Sequence, residues 1–283
     1  MELRGVVERI AGERIDALAA VAGGDIGQSA RARLASGGSL FVKRYPTAAP
    51  DAVECEARGL AWLAEADALP LPRVRGFDSA ARVLVLDWIE PGSATRAGDV
   101  EFGRGLAALH RFGAERFGAL GDNYIGTLRQ SNRSHESWAA FLAEERIGPQ
   151  VRLAVDAGRL PAAEVARVER LMARLPDLVG PPEPPARLHG DLWSGNRLAD
   201  AAGRSWLIDP AAHAGHREMD LAMMRLFGGF AERVFDAYAE AYPLAPGAAE
   251  RVALCQLYPV LVHVNLFGGG YVDSARRIIG GYL

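Results

Sequence analysis

Apolar residues recur at steps of three and four over residues 1 to 20, where Val6, Val7, Ile10, Ile15 and Leu18 predict a single helix packed on something larger. That rhythm breaks at Val21-Ala22-Gly23-Gly24-Asp25-Ile26-Gly27, a glycine-rich stretch with little side-chain volume. Gln28 to Leu34 and Leu40 to Tyr45 then read as short strands, with Ser36-Gly37-Gly38 between them as a hairpin signal. Helical spacing returns from Asp51 to Ala66 through Val53, Ala57, Leu60, Ala61 and Ala64, and Pro70 and Pro72 end it. The β-branched apolar run from Arg82 to Leu86 suits a buried strand.

After the turn cluster Glu90-Pro91-Gly92-Ser93 the character changes. Phe102 to Phe112, Trp138 to Ala157 and Pro161 to Leu175 read as helices, the last with proline in its favoured first turn. Pro181-Pro182-Glu183-Pro184-Pro185 is a stiff extended connector, Arg187 to Asp209 holds short strands and loops, and Ala222 onward is mostly helical. The expectation is an α+β protein with two lobes: a small sheet-rich lobe over 1–89 and a larger helical lobe over 90–283, with a binding cleft at the seam near 87 to 92.

Composition narrows the partners. The 32 basic and 35 acidic residues nearly cancel, so no electrostatic footprint for nucleic acid or an anionic membrane is visible. No run reaches the ~20 apolar residues of a membrane span, and the start lacks a signal-peptide core, so a cytoplasmic protein is expected. Cys55 and Cys255 are far apart and read as buried thiols. Only one basic residue, Lys43, is a lysine; in a chain that otherwise uses arginine, a lone ammonium in a strand points to a place where a guanidinium does not fit.

The densest polar cluster is Leu188-His189-Gly190-Asp191-Leu192-Trp193-Ser194-Gly195-Asn196, followed by Ile208-Asp209-Pro210. Asp191, Asn196 and Asp209 are oxygen-bearing side chains on loops beside strand ends, a donor set suited to Mg²⁺ with phosphate and water completing the shell. The D-x-x-x-x-N spacing matches a phosphoryl-transfer loop, in which one carboxylate takes the proton of the attacking hydroxyl while an Asn and a second Asp hold the metal. In that scheme Lys43 binds nucleotide phosphates and needs a helix glutamate. Glu54 and Glu56 are both available, and Glu56, at the boundary of the buried helix face, is preferred.

His189-Gly190-Asp191-Leu192-Trp193-Ser194-Gly195-Asn196, Ile208-Asp209-Pro210, Gly215-His216-Arg217-Glu218-Met219-Asp220 and Leu226-Phe227-Gly228-Gly229-Phe230 together resemble the fructosamine (ketosamine) 3-kinase family, within the aminoglycoside-phosphotransferase and protein-kinase-like fold. The resemblance runs from about Gly23 to the C-terminus. It implies ATP and Mg²⁺ as cofactors, Asp191 as catalytic base, Asn196 and Asp209 as metal ligands, and Lys43 with Glu56 as the phosphate-holding pair. It further implies a hinge at Asp87-Trp88-Ile89 that pairs with adenine, and phosphate contact in the glycine-rich stretch around Gly24, which lacks a G-x-G-x-x-G pattern. Pro210-Ala211 after Asp209 departs from the protein-kinase pattern, so no activation-loop switch is expected.

Other residues carry two readings. Trp193 is either core or a flat face for a sugar ring. His216 and Glu218 are placed on the substrate side or in loop ordering; with His213 they also spell an H-x-x-H-x-E zinc pattern that lacks helical i, i+4 spacing. His189 reads as a structural imidazole holding the catalytic loop. The implied activity is ATP-dependent phosphorylation of the 3-hydroxyl of a small-molecule or protein-bound ketosamine, a deglycation role. The alternatives are an aminoglycoside, choline or homoserine kinase, or a pseudokinase interaction module, against which the retention of Lys43, Asp191, Asn196 and Asp209 argues.

Overall fold

The computed structural model describes residues 2–21, 27–118 and 120–283; Gly24 lies outside them. Helix α1 (Leu3–Ala11) buries Val6 and Val7 and ends at Gly12, whose φ of 74° lets its N–H return to the Glu8 carbonyl. The helix expected across 1 to 20 therefore stops halfway, and Ile15–Ala20 is strand β1. The reason is tertiary: a neighbouring strand supplies its ladder, from Ile15 opposite Leu34 to Ala20 opposite Ala30.

Strands β2 (Gln28–Leu34) and β3 (Ser39–Arg44) form the expected hairpin, and α2 (Ala52–Ala64) follows. A half-buried edge strand, β4 (Val74–Asp78), and then β5 (Val83–Asp87) complete an antiparallel sheet in the order β1-β2-β3-β5-β4. The hydrophobic pattern does not announce β4, whose VRGFD alternates only weakly. Alternation sorts the layers. Leu40, Val42, Val83 and Val85 pack with Val6 and Val7 on one face, while Phe41, Tyr45, Leu84 and Leu86 pack with Val53, Ala57 and Leu60 of α2 on the other. β5 is thus buried on both faces, which is why it reads as an unbroken apolar run. The same period puts Lys43 on the α2 face.

Beyond β5, the Thr95 hydroxyl accepts the Gly98 amide and starts α3 (Arg96–Phe112) earlier than the apolar pattern indicates. The hairpin β6 (Asn123–Ile125) and β7 (Leu128–Gln130) precedes α4 (Trp138–Phe141), which runs through a π-helical stretch (Leu142–Ile147) into α5 (Gly148–Asp156). Helix α6 (Ala163–Leu178) leads to β8 (Ala186–Leu188), β9 (Arg197–Ala199), β10 (Ser205–Leu207) and β11 (His213–Gly215), where β9 pairs with β10 and β8 with β11. Helices α7 (Glu218–Leu226), α8 (Glu232–Ala241), α9 (Ala248–Phe267) and α10 (Gly270–Gly281) close the chain. The largest core gathers α4 to α6, α9 and α10 around Phe141, Leu171, Leu257 and Leu261. Among the described residues no helix is long and apolar enough to cross a membrane, and both cysteines are buried and unpaired.

Candidate active site

One cavity of about 580 Å³ lies between the α2 face of the sheet and the β8–β11 region. Its walls include Lys43, Glu56, Asp87, Trp88, Ile89, Asp191, Trp193, Asn196 and Asp209, so nearly every residue singled out in the sequence faces one space.

The centre is built on Lys43, which is only 5% exposed. Its Nζ donates to Glu56 Oε1 at 2.8 Å and to Asp209 Oδ1 at 2.7 Å. Burial opposes the ammonium charge, but the two carboxylates outweigh it and hold Lys43 protonated well above the ordinary lysine range. Glu54, the other candidate partner, is exposed on the same helix. Sequence reasoning passed over Tyr45, although strand alternation from Lys43 signals it: the Tyr45 hydroxyl donates to Glu56 Oε2 at 2.7 Å.

The loop that carries Asp191 leaves β8 at His189. Gly190, at φ 82°, passes so close to the Ala211 carbonyl that a Cβ would stand 2.2 Å from that oxygen, so only glycine fits. His189 Nε2 donates to the Ile208 carbonyl at 2.8 Å, and its Nδ1 accepts the Asp191 amide at 3.3 Å. One neutral imidazole, its pKa lowered by burial, therefore ties the Asp191 loop to the Asp209 loop. Asp220 of α7 pins the same loop from behind, accepting the amides of His189 at 2.8 Å and Gly190 at 2.9 Å, and contacting His110 Nε2 at 3.2 Å. Asp220 sat inside the quoted sequence motif without a role; its contacts are visible only in three dimensions.

Asp191 is half-buried. Burial, with the negative charge of Asp209 adding to it, pushes its carboxyl up to about 7 against the opposing hydrogen bond from Asn196. Asn196 Nδ2 donates to the Asp191 carbonyl at 2.8 Å and to Asp191 Oδ2 at 3.1 Å. With its nitrogen so used, Asn196 offers Oδ1 as its ligand atom. Asp209, left-handed at φ 57°, brings a carboxylate to the same cavity. Two hard oxygen donors, a carboxylate and an amide oxygen, fit Mg²⁺.

Trp193 lines the cavity, its ring laid over Gly195, where a Cβ would stand 2.2 Å from the ring. At the other end, Trp88 stacks under the Arg31 guanidinium at 4.5 Å and lies 6.2 Å from the Phe41 ring. The Asp87 amide is already bonded to the Arg73 carbonyl at 2.9 Å.

The structure does not bring His216 and Glu218 to the cavity. Both are buried. Glu218 holds Arg251 with two contacts, at 2.6 and 2.8 Å, and His216 Nδ1 accepts the Glu218 amide at 3.3 Å. Their substrate-side placement is corrected to a structural one, since a buried carboxylate takes the nearest guanidinium. Nor do they form a zinc site with His213. Among the described residues the one group of converging metal-type ligands is His135, Glu144 and Glu145, where Arg133 already pairs with Glu145 at 2.9 Å.

The chain matches the family model described as "Fructosamine kinase" over residues 4–283. A protein of Enterococcus faecium designated a probable ketoamine kinase is 35% identical over 260 residues, covering 92% of each chain. The chloroplastic protein-ribulosamine 3-kinase of Oryza sativa subsp. indica is 33% identical over 276 residues, which span 95% of this chain and 80% of that one. The crystal structure of a candidate fructosamine-3-kinase from Thermobifida fusca superposes with a TM-score of 0.90 at 43% identity, over 99% of both chains. A choline kinase from Streptococcus pneumoniae, with a TM-score of 0.66 at 17% identity over 98% of both, shares the protein-kinase-like fold. A match of that length, with the cleft geometry behind it, makes the chain a member of the fructosamine kinase family and an ATP-dependent kinase.

Proposed function

We propose that the protein transfers the γ-phosphoryl group of ATP to the 3-hydroxyl of a ketosamine, free or protein-bound. The observation that carries this reading is the meeting of Lys43, Glu56, Asp191, Asn196 and Asp209 in one cavity that Trp193 also lines. Relatives designated ketoamine and ribulosamine kinases support the substrate class.

Each residue then has a task. The adenine lies between Phe41, Leu86, Leu198 and Ile208, its polar edge against the main chain of Trp88 and Ile89, since the Asp87 amide is engaged within the sheet. Lys43 neutralises phosphate oxygens, and Glu56 holds it in place. Asn196 Oδ1 and the Asp209 carboxylate would hold magnesium, which when bound neutralises charge on the transferring phosphoryl group. Asp191 accepts the proton of the attacking hydroxyl; burial, which raises its carboxyl to about 7, makes it a stronger base than an ordinary aspartate. Trp193 gives the sugar ring an apolar face two residues from that base.

The product chemistry accounts for a deglycation role. A ketosamine enolises toward C1, and the C1–C2 double bond then expels phosphate from C3, leaving an imine that water hydrolyses to the free amine. The test is ATP turnover with a fructosamine, a ribulosamine, their 3-deoxy analogues, an aminoglycoside and choline, with the phosphate located by ³¹P NMR. Turnover of the ketosamines alone, with phosphate on O3, is expected. Phosphate on another hydroxyl, or preference for choline or the aminoglycoside, defeats the ketosamine reading and leaves the kinase standing.

A further inference from the structure

Lys43 is not held by Glu56 alone. Glu56 Oε1 and Asp209 Oδ1 take two of the three ammonium protons. The second Glu56 oxygen accepts the Tyr45 hydroxyl at 2.7 Å. Tyr45 lies two residues beyond Lys43, faces α2, and lines the cavity with its ring centroid 5.1 Å from Lys43 Nζ. Its ring also rests against Gly27, where a Cβ would stand 3.1 Å from ring atoms Cδ1 and Cε1. One side chain therefore touches the end of the glycine-rich stretch, the lysine and the glutamate.

We infer that Tyr45 is a positioning residue for the nucleotide, its hydroxyl fixing the Glu56 carboxylate so that Lys43 keeps a proton for phosphate. The Glu56 side chain is only 11% exposed, so an Oε2 without a partner is costly there. Without the phenol, the strongest donor beside it is the Lys43 ammonium. A glutamate that turns to engage that ammonium with both oxygens takes the proton a phosphate oxygen needs. The hydroxyl thus acts on nucleotide affinity, while the ring acts on packing against Gly27. The inference rests on the assignment of Lys43 to the nucleotide phosphates.

The test separates the two. Tyr45→Phe keeps the ring and removes the hydroxyl. ATP binding by calorimetry without acceptor should weaken about tenfold, KM for ATP should rise in parallel, and the acceptor KM should stay unchanged. In a Glu56→Gln background the same change should have little further effect, because the hydroxyl acts through that carboxylate. ATP binding within twofold of wild type, a rise in acceptor KM equal to that for ATP, or full additivity with Glu56→Gln overturns the inference. Lys43→Ala is the control: if it binds ATP as tightly as wild type, the phosphate assignment itself fails, whereas weak binding by Lys43→Ala with unchanged binding by Tyr45→Phe refutes only the role of Tyr45.

Discussion

Asp191→Asn keeps the side chain's shape and its place beside Asn196 but removes the acceptor for the hydroxyl proton. Turnover should fall by about 10²–10⁴ with ATP affinity nearly intact. A kcat within tenfold of wild type would take Asp191 out of the mechanism. Lys43→Arg tests the opposite property. The cleft encloses Lys43 to 5% exposure between two carboxylates under 3 Å away, a space shaped for a compact ammonium and too small for a planar five-donor fork. An amine-reactive ATP analogue should label Lys43 in the wild type, and the arginine variant should lose most kcat/KM for ATP; full activity with arginine would contradict the assignment.

The loop that carries Asp191 is held as an element because α7 supports it. Asp220 is a buried carboxylate accepting two loop amides, and its contact with His110, helped by His189 and the Gly190 amide, holds its pKa down despite burial. Asp220→Asn retains the volume but turns an NH₂ toward groups that are themselves donors. A loss of about 2–4 kcal/mol in urea unfolding is expected, with a fall in kcat from a loosened His189–Asp191 turn. Unchanged unfolding midpoint and kcat together would show that the loop holds its shape without α7. The helix-versus-strand reversal at Ile15 belongs to this scale too: Ile15 and Leu18 satisfy helical spacing, yet the ladder with β2 takes them, and no local signal other than Gly12 marks the change. By contrast β3, α2 and β5 were legible, since their apolar residues face a helix or a sheet at the period of their own backbone.

At the scale of the whole molecule, stability should depend on pH through buried histidines. Burial, with the charge of Arg146 beside it, pushes His213 down to about 3, and burial lowers His189, His216 and His263 as well. The unfolded chain protonates such groups near their ordinary value of about 6.5 while the folded chain refuses the proton. Stability is therefore fully present above about pH 6.5 and is lost as the pH falls toward 3, with His213 alone accounting for about 2 kcal/mol at pH 5. Melting temperatures from pH 7.5 to 5 should drop more steeply for wild type than for His213→Phe. Parallel slopes would mean that His213 does not titrate across the unfolding transition.

The chain order of the chemistry was open to reading because spacing within a loop and a lone lysine in a strand are properties of the sequence: Asp191 to Asn196, Asp209 after its apolar run, and Lys43 ahead of Glu56. The family followed from the same runs. The sequence did not decide which polar residues near those runs face the cleft. Glu218 sits in a quoted motif and is buried on Arg251, whereas Tyr45 sits in none and reaches Glu56. Charged side chains pair with whatever the packed chain brings within 3 Å, and partners such as Arg251 and Asp220, remote in sequence, meet their targets only once α7 and α9 have packed behind the β8–β11 region. Local spacing therefore marked the candidate reacting groups, and long-range packing decided their supports.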